Sequence, residues 1–107
     1  MEIKQYEIFL VNLDPTIGRE IKKTRPCLVI SPNEMNKHLE TIVVAPMTTT
    51  NKPYPTRVSV VHKKKKGAAA IDQIRTIDKS RILKSFGKIS KEEIEKCKAV
   101  IKETFVD

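Results

Sequence analysis

Thr24-Arg25-Pro26-Cys27-Leu28-Val29-Ile30-Ser31 decides how this chain is read. Pro26 to Ile30 is a short, apolar, β-branched run, too brief for a core helix and rich in residues that fit a pleated surface, so it reads as a buried strand. A polar segment precedes it and a helix start follows. Residues 16–24 are polar and charged, with Gly18 giving the backbone freedom, and read as a long loop. Before that loop, residues 6–11 (YEIFLV) read as a first strand that stops near Asp14-Pro15, a turn signal. After the run, Ser31-Pro32-Asn33-Glu34 is a capping-box pattern with proline at the first helical position, predicting a short helix to about His38.

The same reasoning carries on downstream. Residues 41–45 (TIVVA) predict a buried strand closed by Pro46, and residues 47–55 (MTTTNKPYP) a loop by composition. Residues 56–62 alternate as a strand does. Lys63 to Lys66, followed by Gly67, read as a hairpin tip, and residues 68–71 as a strand whose small side chains imply close packing. Asp78 is placed to cap a short helical turn through Ile82. Residues 83–89 form a last strand interrupted by Gly87. Ser90-Lys91-Glu92-Glu93 is a second capping box, and Ile94, Cys97, Ile101 and Phe105 follow at helical spacing, predicting an amphipathic helix whose stripe packs on the sheet. The expected class is mainly β (α+β): a small, strongly curved antiparallel sheet or barrel with one main helix.

The 107 residues suit a single domain, residues 1–107, with one hydrophobic core. Lys and Arg number 21 against 13 Asp and Glu, a net charge of +8, which calls for an acidic partner: nucleic acid, an anionic membrane or an acidic protein. No signal peptide and no membrane-length apolar run is visible. Cys27 and Cys97 lie in apolar patterns without CxxC, and His38 and His62 stand far apart; the expectation is two reduced, partly buried thiols in a cytoplasmic protein with no metal site and no cofactor.

Several residues carry candidate chemistry. Arg25 stands where a loop meets a buried strand; it is either a strand-edge cation that meets a carboxylate or solvent, or a preoriented guanidinium whose planar fork holds a phosphate. Thr48 and Thr49 follow a buried strand, and their hydroxyls either satisfy the local backbone or bind phosphate and base edges. Asp72 is either a general base or an ion-pair partner for an arginine, and Gln73 either reads a base edge or satisfies the backbone. The lysine run is a solvated tip that adds long-range attraction for an anion. At this level the chain is a small basic β-rich domain that binds an anion. An SH3-like or OB-like nucleic-acid-binding module is the other reading; an aromatic content of 5% with no Trp speaks against it, because unpaired bases stack on rings.

Taken in order, these pieces resemble the MazF/PemK toxins of bacterial toxin–antitoxin pairs. Residues 8–20 (IFLVNLDPTIGRE) look like that family's first strand and active-site loop, and residues 24–31 (TRPCLVIS) like its second strand. Residues 43–49 (VVAPMTT) and 72–79 (DQIRTIDK) are similar to two further family elements, so the likeness runs from Tyr6 to the final helix. The resemblance implies a small SH3-like barrel with a C-terminal helix, of the CcdB/PemK kind, and a homodimer. It implies metal-independent, sequence-specific endoribonuclease cleavage of single-stranded RNA (mRNA), by attack of the ribose 2′-OH to leave a cyclic phosphate and a 5′-OH. Its natural inhibitor would be an acidic antitoxin, through which alone the protein would reach DNA. By the family pattern Arg25 and Thr48 are the catalytic pair, Glu20 in the loop is a base or base-reading acceptor, and Asp72 matches a position used as base in some branches. Arg19, Thr49, Asn51 and Gln73 are expected to bind substrate. Some branches carry His at the position of Arg19 and Arg at the position of Ala70; an arginine cannot serve as base, and the proton donor of those branches is missing here. CcdB-like relatives with the same barrel poison DNA gyrase, an activity that goes with a Trp near the chain end, and this sequence has none.

Overall fold

Apolar runs that lack strand-like alternation are explained by burial on both faces of the sheet. In β1 (Glu7–Asn12), Ile8 packs in one apolar cluster while Phe9 and Val11 pack in another. In β2 (Thr24–Val29), Leu28 joins the first cluster and Cys27 and Val29 the second. Neighbouring side chains of a strand point to opposite faces, so two cores require an unbroken run. The computed structural model describes residues 2–13, 24–49, 54–62 and 65–107.

The strands form a curled antiparallel half-barrel in the order β4-β5-β3-β2-β1-β7. The further strands are β3 (Thr41–Thr48), β4 (Arg57–His62), β5 (Lys65–Ala70), β6 (Arg75–Asp78) and β7 (Ile82–Lys88). The helices are α1 (Asn33–His38) and α2 (Lys91–Ile101), the latter followed by a π-helical turn, Lys102–Val106. β3 is the pivot. One edge pairs with β2, from Cys27↔Pro46 to Val29↔Val44. The other edge pairs with β6 over Thr41 to Val44 and with β5 at Met47 and Thr48. Pro46 lacks an N–H and cannot donate to a ladder; it pairs with Cys27 of β2 and lies where the other edge passes from β6 to β5.

The expected closing of this strand at Pro46 is therefore corrected. β3 continues to Thr48, so Met47 and Thr48 stand on a strand rather than in a loop. β6 was not legible as a strand from its sequence; Arg75, Thr76 and Asp78 are exposed and only Ile77 is buried, so pairing with β3 defines it rather than an apolar pattern. β5 begins at Lys65, which puts Lys66 and Gly67 on the strand and leaves residues 63–64 of the expected tip outside the described residues. β7 carries the expected interruption: the register steps from Ile8↔Gly87 to Phe9↔Ser85, a bulge at Phe86, and Gly87 takes the positive φ of 97° that favours glycine.

The first capping box does not form. Ser31 is buried and is spent elsewhere: its Oγ accepts from the Val43 N–H at 3.0 Å and donates to Asn36 Oδ1, while Asn36 Nδ2 donates to the Ser31 carbonyl at 2.9 Å. The hydroxyl ties α1 to β3 instead of capping it. The second box is complete. Ser90 Oγ accepts from the Glu93 N–H at 3.1 Å, and Glu93 Oε1 accepts from the Ser90 N–H at 2.9 Å. The second carboxylate oxygen of Glu93 accepts from the Val61 N–H of edge strand β4 at 2.8 Å, satisfying a donor that an edge otherwise leaves open. Ile94, Cys97, Val100 and Ile101 of α2 pack into the first cluster, but Phe105 is 53% exposed, so the expected stripe stops one residue short. Asp78 does cap the 3₁₀ turn Lys79–Arg81, accepting from the Ser80 N–H at 2.8 Å.

Candidate active site

The ends of β2 and β3 supply the residues of one cavity of about 550 Å³. Arg25 and Thr24 line it from β2, Thr48 and Thr49 from the end of β3, and Tyr54 and Arg57 from the opposite side. Arg25 is held by its register opposite Val11 of β1, a fully buried residue, while its own side chain is exposed. Among the described residues no carboxylate pairs with Arg25. Thr48, half-buried, is paired opposite Ala68 of β5. The strands can come this close because β5 is built of small residues: a Cβ placed on Gly67 would meet the Thr48 carbonyl oxygen at 3.0 Å. The close packing inferred from the run Ala68 to Ala70 thus serves to position Thr48.

Arg57 forms the opposite wall and is paired with Asp72. Arg57 Nε donates to Asp72 Oδ1 at 3.0 Å and its terminal nitrogen to Oδ2 at 3.4 Å, while Thr56 Oγ1 also donates to Oδ1 at 2.9 Å. The Arg57 hydrogen bond holds the Asp72 carboxyl below the usual aspartate range; burial opposes it, and the Thr56 hydrogen bond adds a lesser lowering. A carboxylate stabilised in this way is a weakened base. Asp72, on the 3₁₀ turn Ile71–Gln73 after β5, does not line the cavity itself and reaches it through Arg57. The guanidinium of Arg57 also lies 5.3 Å from the centre of the Tyr54 ring, a cation–π distance.

The remaining candidates are placed as follows. Thr49 lines the cavity and is exposed to it. Gln73 is exposed on the turn that carries Asp72 and is not part of the cavity wall. Arg19, Glu20 and Asn51 lie outside the described residues. Tyr54 and Arg57 were missed: Asp72 signalled an arginine partner, but nothing in the order of residues says which arginine folds back to it. Cys27, directly behind Arg25, is fully buried; burial pushes its thiol up to about 12 despite the opposing pull of Arg25 and Arg75, so it is no nucleophile at neutral pH. Among the described residues no three His, Cys, Asp or Glu side chains gather as a metal would require, and no helix is long and apolar enough to cross a membrane.

Residues 4–105 match the family model of the PemK-like, MazF-like toxins of type II toxin–antitoxin systems. The chain is 32% identical over 96 residues to the endoribonuclease toxin MazF of Escherichia coli K12, covering 89% of this chain and 86% of that one. Its fold is similar to that of MazF from Deinococcus radiodurans, with a TM-score of 0.79 at 23% identity over 96% of each chain. It is also similar to a mycobacterial endoribonuclease in complex with its cognate antitoxin, with a TM-score of 0.81 at 20% identity over 94% of this chain and 92% of that one. On the extent of that family match, the chain belongs to the PemK-like, MazF-like toxins of type II toxin–antitoxin systems.

Proposed function

We propose that the protein is a metal-independent, sequence-specific endoribonuclease that cuts single-stranded RNA, acting in the cytoplasm as the toxin of a type II toxin–antitoxin pair. The observation that carries this reading is the convergence of Arg25 and Thr48, from adjacent strand ends, on one open cavity. The relationship to an E. coli endoribonuclease toxin supports it. RNA brings its own nucleophile: the ribose 2′-OH attacks the adjacent phosphorus, the bond to the 5′-oxygen breaks, and the products are a cyclic phosphate and a 5′-hydroxyl. The protein must hold the phosphate, offset the charge that builds on its oxygens, and manage one proton in and one out.

Arg25 holds and neutralises the phosphate. A guanidinium is a poor proton donor to a leaving oxygen, so the role of Arg25 is electrostatic. Thr48 Oγ donates a hydrogen bond to a phosphate oxygen. Thr49, Arg19, Asn51 and Gln73 contact the flanking RNA, and Glu20 serves as the base or as a base-reading acceptor. Asp72 acts by orienting Arg57 rather than by taking a proton. The active form is a homodimer, the cognate antitoxin lays an acidic segment over the same cavity, and DNA is reached only through that antitoxin. The test is incubation of the purified protein with a long single-stranded RNA in excess EDTA, followed by mapping of the cut ends. Cuts at a recurring short motif with 5′-hydroxyl ends are expected; loss of cleavage on chelation and its return with magnesium would refute metal independence.

A further inference from the structure

A second cavity of about 340 Å³ adjoins the first and shares Pro26, Met47, Thr48 and Thr49 with it. Its other walls come from the two edge strands and from β5: His62 at the end of edge strand β4, Lys66 and Gly67 at the start of β5, and Phe86 at the bulge of edge strand β7. His62 and Phe86 bring those edges together, with ring centres 4.7 Å apart and planes tilted by 47°. Lys84 Nζ stands 5.8 Å from the centre of the Phe86 ring. The chemistry of the two cavities differs. Beyond the shared residues, the first adds Thr24, Tyr54 and the two guanidinium groups of Arg25 and Arg57, whereas the second adds the two rings of His62 and Phe86, with Lys66 beside them.

We propose that this second cavity is a nucleobase subsite, in which a base flanking the scissile phosphate stacks against the Phe86–His62 ring pair. The inference rests on the ribonuclease reading above and adds to it where sequence preference is exercised. Continuity is the first argument: the two cavities share Pro26, Met47, Thr48 and Thr49, which gives a strand whose phosphate lies on Arg25 and Thr48 a continuous path for a neighbouring nucleotide toward Phe86. Chemistry is the second. Unpaired bases are held by stacking on rings and their backbone by nearby cations, and this cavity combines rings with the cations of Lys66 and Lys84 in a chain of net charge +8. A chain poor in aromatics has thus assembled a stacking platform from two strands distant in sequence. The bulge that puts Phe86 out of register with β1 places its ring there.

The test uses the full-length protein and single-stranded RNA oligonucleotides spanning a mapped cut. Each carries 2-aminopurine at one position in turn and a 2′-deoxy group at the cut, so that binding is read without cleavage. Stacking should quench the probe at one position next to the cut. Phe86→Leu, which keeps apolar volume for the core but removes the ring, should abolish that quench and raise KM on the cleavable RNA by about tenfold, with kcat little changed. His62→Ala should act in the same direction and His62→Phe should restore both readouts. An abasic nucleotide at the quenched position should cost the parent enzyme the same factor and cost Phe86→Leu nothing further. Equal abasic penalties in the parent and in Phe86→Leu, or a quench that survives loss of the ring, would overturn the subsite. So would a Phe86→Leu protein that loses affinity for an acidic peptide and keeps its affinity for RNA. A quench that persists in a parent protein unable to cleave would leave the subsite standing and remove the ribonuclease reading. No quench at any position would remove the subsite, even with cleavage intact.

Discussion

Replacing Arg25 with alanine separates two free energies that the structure keeps apart. The Arg25 side chain is exposed, and no described carboxylate depends on it; its backbone is held by pairing opposite Val11, which alanine leaves in place. Surface substitutions of this kind stay within about 0.5 kcal/mol, with a small further loss from the lower strand preference of alanine. The unfolding midpoint should therefore fall by no more than a few degrees. The catalytic loss is much larger if the guanidinium meets charge that appears only in the transition state. Removal of one such donor costs roughly 2.7–4 kcal/mol, a factor of about 10²–10³ in rate. Arg25→Lys should recover part of this, because charge survives but the two-pronged geometry does not. Thr48→Ala should also be slow, and Thr48→Ser less so. The assay is single-turnover cleavage of a defined RNA in EDTA, run beside urea unfolding of each variant. A well-folded Arg25→Ala protein that cleaves at the parent rate would refute the placement of the site. So would an Arg25→Ala protein whose rate loss matches its loss of folded fraction.

Asp72→Asn should slow cleavage by less than about tenfold and leave the shape of the pH–rate profile unchanged, whereas loss of a general base costs about 10²–10⁴ and removes a limb of that profile. Ser90→Ala should destabilise the fold by about 1 kcal/mol with cleavage per folded molecule unaffected, as expected for a lost helix cap. Burial pushes the Glu93 carboxyl up, but hydrogen bonds from the N–H groups of Ser90 and Val61 outweigh it and hold the group below its usual value. Its stabilising contribution is therefore present at neutral pH and is lost as pH falls below the ordinary glutamate range and through the lowered pKa. Urea unfolding of Glu93→Gln and the parent should accordingly differ at pH 7 and converge in acid; a gap that widens in acid would contradict the assignment. The thiols of Cys27 and Cys97 are both fully buried, and burial pushes each up to about 12. Neither should react with iodoacetamide at pH 7.5 in the native protein, and both should react in denaturant; fast native alkylation, followed by mass spectrometry, would show that one of them is accessible.

Local order was enough for much of this protein. The runs around Phe9, Leu28 and Val44 are short, apolar and β-branched, and such runs form strands in almost any context. Ser90 and Glu93 cap their helix by contacts three residues apart, and Asp78 caps its turn by a contact two residues away. Motif order was likewise enough to nominate Arg25 and Thr48, which the fold brings to the wall of one cavity. Other features depended on partners far along the chain. Ser31 has the sequence of a helix cap, but the N–H of Val43, twelve residues on, claims its hydroxyl. β6 has little apolar pattern and exists because β3 offers it an edge. β3 crosses Pro46 because its neighbour changes there, which puts Thr48 on a strand end facing Arg25. Asp72 carries the same carboxylate in either role, and only the approach of Arg57, fifteen residues earlier, makes it an ion-pair partner. His62 and Phe86 form one wall only because the sheet curls until its two free edges meet. Where a strand or cap rests on side chains a few residues apart, as in β1, β2 and at Ser90, the sequence alone determines it. The chemical role of a charge or a ring is decided by what folding places beside it, and that distance is set by tertiary structure.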